Sequence, residues 1–511
     1  MSALRLPVAL VAILLAAPLG SRAADAPAPA PAPQTFEFHR DHVIGTSLDL
    51  HVVAPDEYTA EGAELTVLNE IERLRKVFST YDATSEISKL NATREPVKVS
   101  ADMAAVLKAY DVWQRKSGGA FNGQVGDLVR AWKDGEKADR VPDALTLERI
   151  VSDLAKPGWK LDDATNTVTR LTDQPLNLNA IAKGYIIQKA ADAVRKEHPT
   201  VSGLLVNLGG DVLARGAPPG GTGWAVGVQD PANHFDNAAP LAGLRLTNQA
   251  VATSGGYQRF YTIGGKRYSH IFDPRTGRPA DGPASATVIA GDNLTANALA
   301  TTLCVLSPEA GLKLVASVPG AECLIIGADG KQHRSSGLKA FEVAPLRFAA
   351  LQKDEPKTTN WPTGYQVTVA IELPNVAAAK RYRKPYTAIW IEDDKGKAVR
   401  TLAVWGNSPK YLKDLSDWWK IGKGDTDLVK AVTRATRGPG KYDLAWDGKD
   451  DKGKALPQGT YTVRVEVHRE FGAHLRQSGK IECKDKPTSV KLDKNAETAE
   501  TLIEFKEAKK K

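Results

Sequence analysis

The spacing of apolar residues changes once along this 511-residue chain, and that change divides it into two kinds of structure. Up to about residue 345 the apolar stripes are helical or run as short blocks. Val67, Ile71, Leu74 and Phe78 recur at helical spacing, with Leu68 beside them. Met103, Val106, Leu107 and Tyr110 form a second stripe, which Ser100 is expected to cap and Gly118-Gly119 to stop. A third helix is expected from Ala180 to Glu197, burying Ile187, Ala190, Ala191 and Val194. The block GLLVNL (203–208) reads as a buried strand. Thr295 is expected to cap a helix through Leu303. Ser307-Pro308 starts another, because proline is best tolerated in a first turn. AECLIIG then ends in an Asp329-Gly330 turn. Helices and strands mix without a strict βαβ period, so residues 36–348 are assigned to the α+β class.

Beyond a polar, proline-bearing stretch, LQKDEPKTTNWPTG (351–364), the period becomes two. Tyr365, Val367, Val369 and Ile371 alternate with Gln366, Thr368 and Ala370, and Tyr386–Glu392 and Tyr461–Val467 are also β-rich. With Gly and Asp turns every ten residues or so, residues 364–494 are expected to form an Ig-like β-sandwich, joined by a linker over 349–363. Asp447, Asp450 and Asp451 lack EF-hand spacing and read as a solvated turn, with calcium as the alternative. The charged tail 495–511 is expected to be a frayed helix or disordered. Trp390, Trp405, Trp418, Trp419 and Trp446 are either core or a partner-docking surface.

The N-terminus carries Arg5, an apolar run from Leu6 to Leu19, and Ser21-Arg22-Ala23, the pattern of a secretory signal cleaved near Ala23. The run is too short to span a membrane comfortably, so the mature chain is expected to be periplasmic, without a transmembrane segment. ADAPAPAPAPQ (24–34) is an extended spacer within the linker 24–35. Cys304, Cys323 and Cys483 are an odd number of thiols and cannot all pair. Cys304 and Cys323 read as buried thiols, with a bridge between them as the alternative in an oxidising compartment. A net charge of +8 without a basic stripe interleaved with aromatics argues against nucleic acid as a partner.

Four glycine-punctuated patches carry the chemistry: NLNAIAKGY (177–185), NLGGD (207–211), TSGGYQRFY (253–261) and SHIFDPRTGRP (269–279). Glycine permits close backbone approach to a ligand, and helix N-termini attract anions. Lys183, one turn into its helix, supplies a point charge for a phosphate. Singly, each patch is a weak signal and reads more readily as a turn.

Their order resembles the ApbE family of flavin transferases over roughly residues 40–345. The other landmarks are IGT (44–46), FSTYDATSEISKLN (78–91), GAFNGQVGDLVRAW (119–132) and LTANALATTL (294–303), and HIFDPRTG and IAKGY are the most specific strings. The resemblance implies an FAD:protein FMN transferase. Such an enzyme uses FAD as substrate and Mg²⁺ as cofactor, places FMN on a Thr or Ser hydroxyl of an acceptor flavoprotein, and releases AMP. The acceptor would belong to a membrane-associated or exported electron-transfer system. By the same resemblance Ile44, Tyr81, Ala120, Phe121, Asn122, Asn177, Lys183 and Ile271 would contact FAD. The Ala180 carbonyl, Asn297 and Thr301 would hold the metal, and His270 and Asp273 would approach the reacting phosphate. His270 then either handles a proton or anchors its loop. Asn297 and Thr301, four residues apart on a helix, share a face, which suits a ligand pair or two bonds within the helix.

Several positions depart from the family pattern. Asn122, Asn177 and Asn297 stand where the family usually has Asp, and Gly256 stands where Asp is common. Gln188 and Gln258 likewise replace acids. An amide keeps an oxygen donor but loses the charge that Mg²⁺ favours. The transferase reading therefore stands beside two others: a non-catalytic periplasmic flavin-binding or scaffold protein, and an FAD pyrophosphatase.

Overall fold

The computed structural model describes residues 32–343 and 361–508, apart from positions 234, 258, 375–383, 407–411, 424–432, 435–436 and 471. The signal 1–23, most of the spacer, Gln258 and most of the linker 349–363 lie outside the described residues.

The first domain has an eight-stranded antiparallel sheet at its centre. From one edge its strands are Gln34–Val43, Thr46–Ala54, Gly203–Leu208, Asp211–Arg215, Ala250–Gly255, Ser285–Ala290, Glu322–Ile326 and Gln332–Arg334. Period two decides where each side chain goes. Leu204, Val206 and Leu208 join one core with Ala250 and Ala252, whereas Leu205 and Val251 join a second core on the opposite face. The first face is covered by helices α1 (Glu57–Phe78), α2 (Glu86–Asn91), α3 (Ala101–Lys116), α6 (Asn179–Glu197) and α7 (Asn293–Leu303). The second is covered by a small sheet of Trp224–Val228, Ala242–Leu246 and Glu342–Val343. A satellite core joins α4 (Gly126–Lys137) and α5 (Ala144–Leu154) to Phe272 and Ile263.

The helices obey their local signals. Ser100 caps α3 by accepting from Met103 N, and Gly118 and Gly119 close its end at φ +59° and +81°. Ser307 caps α8 (Pro308–Ala316) with Pro308 in the first turn. The cap of α7 is a correction: Asp292, not Thr295, precedes it, and its carboxylate accepts from Thr295 N at 2.8 Å. The cap lies three residues earlier because Asp accepts from the third N–H, and Thr295 is the donor.

The second domain is a sandwich of two sheets. One has the order Gly440–Trp446, Tyr365–Leu373, Thr501–Glu507, Thr488–Leu492; the other has five strands with Tyr386–Glu392 at its centre. Trp390, Trp405, Trp418 and Trp446 are buried, so these four belong to the core. Cys304, Cys323 and Cys483 are free, buried thiols, and no bridge forms. Asp450 Oδ1 accepts from Lys452 N and Lys454 N, which makes 447–451 a hydrogen-bonded turn. Two expectations fail here. Trp361, placed in the linker, packs against Trp446 and Phe505. The described part of the tail is not frayed: Thr501–Glu507 is an inner strand, paired on both sides. Thr501, Ile503 and Phe505 are buried and alternate with Leu502, Glu504 and Lys506. That period was masked by the surrounding Glu and Lys. Accordingly, Phe505→Ala should cost the sandwich about 3–5 kcal/mol, read by urea denaturation, whereas a frayed tail would give no change.

Candidate active site

The sequence patches, far apart in the chain, touch one another in a closed ring. The end of IGT meets NLGGD where Gly209 N donates at 2.9 Å to the carbonyl of Ser47, the residue after Thr46. Gly209, at φ +58°, leaves no room there: a Cβ would fall 2.2 Å from Thr46 Oγ1. NLGGD meets IAKGY through Lys183 Nζ, 2.7 Å from Asp211 Oδ2 and 3.4 Å from Gly209 O. IAKGY meets α7 at Gly184, where a Cβ would lie 2.7 Å from Asn293 O and 2.9 Å from Asn297 Nδ2. From α7, Thr301 Oγ1 reaches Ser254 Oγ of TSGG at 3.4 Å. Gly256 lies against Ser269 of SHIFDPRTG, and the Arg275 side chain of that loop lies against Gly119. Asn177 N donates to Gly123 O at 2.7 Å, which brings the ring back to the start of α6.

Individual residues take definite places. Ile44 sits at φ +44° in the turn between the first two strands and packs against the helical core. Tyr81 is 92% exposed. Ala120 and Phe121 are buried, and Phe121 stacks on Tyr110 at 4.9 Å. The Asn122 amide is committed at both ends, with Nδ2 donating to Leu154 O at 3.0 Å and Oδ1 accepting from Gln124 N at 2.8 Å. Its role is therefore to fix the loop. Helix α6 starts without a side-chain bond from its cap residue Leu178, and Asn177 Oδ1 accepts from Asn179 N. Ile271 is buried in the helical core. A cavity of about 580 Å³ borders the ring, lined by Gly119, Asn122, Leu154, Trp159 and Arg275.

Electrostatics sorts the ionisable groups. Asp211 is almost fully buried, and burial raises its carboxyl above the usual range against the pull of Lys183. Asp273 is clamped by Arg275 at 2.8 Å. Burial lowers His270 below the ordinary histidine value. Its Nδ1 lies 2.9 Å from Arg259 O, which only accepts. The neutral ring thus carries its proton on Nδ1 and a lone pair on Nε2.

The donors that the resemblance assigns to the metal are the Ala180 carbonyl, the Asn297 amide and the Thr301 hydroxyl. Asn297 is buried, and its Nδ2 has no hydrogen-bond partner among the described residues. A carbonyl, an amide and a hydroxyl are hard oxygen donors suited to Mg²⁺, and all are neutral. Among the described residues no group of three or more His, Cys, Asp or Glu is arranged to hold an ion. Such neutral donors would leave most of a magnesium ion's charge to be met by a ligand's phosphates.

Residues 44–325 match the ApbE family. This chain belongs to the ApbE family. Residues 366–500 match a second family, described as "Predicted periplasmic protein (DUF2271)". The chain is 33% identical over 276 residues to the FAD:protein FMN transferase of Klebsiella pneumoniae (strain 342), covering 53% of this chain and 82% of that one. It is 30% identical over 314 residues to that of Treponema pallidum (strain Nichols), covering 58% and 86%. Among solved structures it resembles the ApbE protein of Thermotoga maritima, with 31% identity, a TM-score of 0.55 and coverage of 61% and 100%. It also resembles the flavin transferase ApbE of Vibrio cholerae, with 26% identity, a TM-score of 0.53 and coverage of 60% and 99%.

Sequence reasoning missed the ring's second members: Asp211 under Lys183, Ser254 beside Thr301, Arg275 on Asp273. Each lies inside a patch already singled out, but no spacing rule joins patches so distant. The ApbE-family site predicts an effect of its ion pair, in which Asp211 is buried and Lys183 half-buried. Lys183→Ala strands the Asp211 carboxylate and should cost about 3–5 kcal/mol near neutral pH. An acid whose folded pKa is raised favours the folded state at low pH, and the stabilisation is lost as pH rises through that value. The deficit of Lys183→Ala should therefore grow as pH rises from about 4, and Asp211→Asn in the same chain should abolish that dependence, as read by urea melts.

Proposed function

We propose that this ApbE-family chain is an FAD:protein FMN transferase that moves FMN from FAD onto a Thr or Ser hydroxyl of an acceptor flavoprotein and releases AMP. The observation that carries this reading is the closed ring of patches around the start of α6. A helix start with neighbouring cation Lys183 is a place for a pyrophosphate. The adjoining cavity is of a size that takes one end of a dinucleotide. Ile44, Tyr81, Ala120, Phe121 and Ile271 are assigned to the flavin nucleotide, with Asn122 and Asn177 holding the backbone around it.

In this reading His270 Nε2 takes the proton of the acceptor hydroxyl. The freed oxygen bonds to the FMN phosphorus as the bond from that phosphorus to the bridging oxygen breaks, and AMP leaves with the electron pair. Lys183 steadies the phosphate charge, and Asp273, held by Arg275, keeps the His270 loop in place. A magnesium ion held by Ala180 O, Asn297 Oδ1 and Thr301 Oγ1 would neutralise charge on the pyrophosphate oxygens.

The apolar run Leu6–Leu19 supports export by a cleaved signal, and the description of the second family supports a periplasmic location. No helix among the described residues is long and apolar enough to cross a membrane. The acceptor is assigned to a membrane-associated or exported electron-transfer system.

The test is mass spectrometry of an acceptor domain incubated with the chain, FAD and Mg²⁺. An FMN-sized addition on Thr or Ser, lost in His270→Ala, is expected. AMP and free FMN without an adduct would make the chain a pyrophosphatase, and FAD binding without turnover would make it a flavin-binding protein. Separately, Asn297→Asp should tighten Mg²⁺ binding about tenfold by restoring a carboxylate, measured by calorimetry without substrate; unchanged affinity would remove Asn297 from the metal set.

A further inference from the structure

The sandwich grips the first domain at two places, and both lead to the ring. At the first, the loop between Trp224–Val228 and Ala242–Leu246 lies along Gly440–Trp446, an outer strand of its sheet. Asn237 Nδ2 donates to Ala445 O at 2.8 Å, and Asn237 Oδ1 accepts from Ala445 N at 2.9 Å. Asp236 N donates to Asp443 O at 2.8 Å. One amide side chain thus satisfies both groups that an edge residue leaves unpaired. The Asp236 carboxylate accepts from Arg437 Nη2 at 2.8 Å and from Nε1 of the buried Trp405 at 3.0 Å. At the near end of the same loop, Gln229 Oε1 accepts from Tyr257 OH at 3.3 Å. Tyr257, Gly256 and Ser269 line a cavity of about 180 Å³ where the TSGG and SHIFDPRTG patches meet.

At the second place, Lys384 of the sandwich pairs with Asp41, three residues before Ile44. Asp41 also holds His39 at 3.2 Å, and His39 holds Asp49 at 2.6 Å. Asp49 accepts from Asn207 Nδ2 at 3.3 Å, and Asn207 Oδ1 accepts from Gly210 N at 2.9 Å. An unbroken polar chain therefore runs from the sandwich to the NLGGD turn that receives Lys183.

We propose that the sandwich is a brace acting within the chain: its clasps at Asp236–Asn237 and Lys384 position the ring's rim, and FAD affinity depends on them. This rests on the reading that the ring binds FAD. Asp236, Asn237 and Lys384 are positioning residues, since each acts through others. A contiguous network of this kind typically carries about a 2- to 30-fold effect on binding.

The test is a fluorescence titration of the full chain with FAD, first for wild type. A wild type that binds no FAD overturns the reading on which the brace rests, whatever the clasps do. Given binding, Asp236→Ala with Asn237→Ala, and separately Lys384→Met, should each weaken FAD by about 2- to 30-fold. KM for FAD should rise with kcat unchanged, and Lys384→Arg should restore affinity. Small-angle scattering reports whether the clasps have opened. Opened clasps with wild-type FAD affinity would overturn the brace and leave the transferase reading intact. If the double variant fails to fold, Lys384→Met and Lys384→Arg decide alone: equal affinity in the two would overturn the proposal.

Discussion

Everything at the candidate site depends on how closely α6 and α7 approach at Gly184. No other residue fits there, because a Cβ would lie 2.7 Å from the Asn293 carbonyl oxygen. That contact sets Ala180 and Lys183 on one helix against Asn297 and Thr301 on the other. The same helix is pinned to the sheet from beneath by the Lys183–Asp211 pair. Moving α6 outward by a methyl group would break the ring at two joints at once. The glycine in IAKGY is thus a packing requirement, and the chemistry of the patch follows from it.

Much of the fold was legible because each element's own residues decide it. The stripes of α1, α3 and α6 and the block GLLVNL needed no tertiary information. The α7 cap was misplaced by three residues, since Asp292 and Thr295 are both capping types and only their mutual bond tells donor from acceptor. Strand Thr501–Glu507 was hidden because its exposed face is charged, and charge was taken as the signal. The candidate site was legible as separate patches. Their joining was not, because Thr301–Ser254 and Lys183–Asp211 are contacts between a helix and a strand distant in the chain, which no local period encodes. Nor does composition reveal that Asn122 is occupied by Leu154 O and Gln124 N. The substitution of amides for acids is visible in sequence, but only the structure separates Asn122, tied into its loop, from Asn297, whose amide nitrogen has no partner among the described residues.

The second domain changes what the molecule is. An appended sandwich suggests a module for docking or targeting. Its buried tryptophans fill its own core, and Trp405 turns its N–H toward Asp236 of the first domain. The sandwich closes its own sheet edge with a side chain of the ApbE-family domain. A site made of loops from distant parts of the chain gains from such an external support, because loops carry little packing of their own.

The central claim is that the patches form one ligand site. Hydrogen exchange with and without FAD tests it most directly. The account predicts that FAD slows exchange together in 177–185, 207–211, 253–257 and 269–275. Protection confined to one of these segments, or lying elsewhere in the chain, would contradict it.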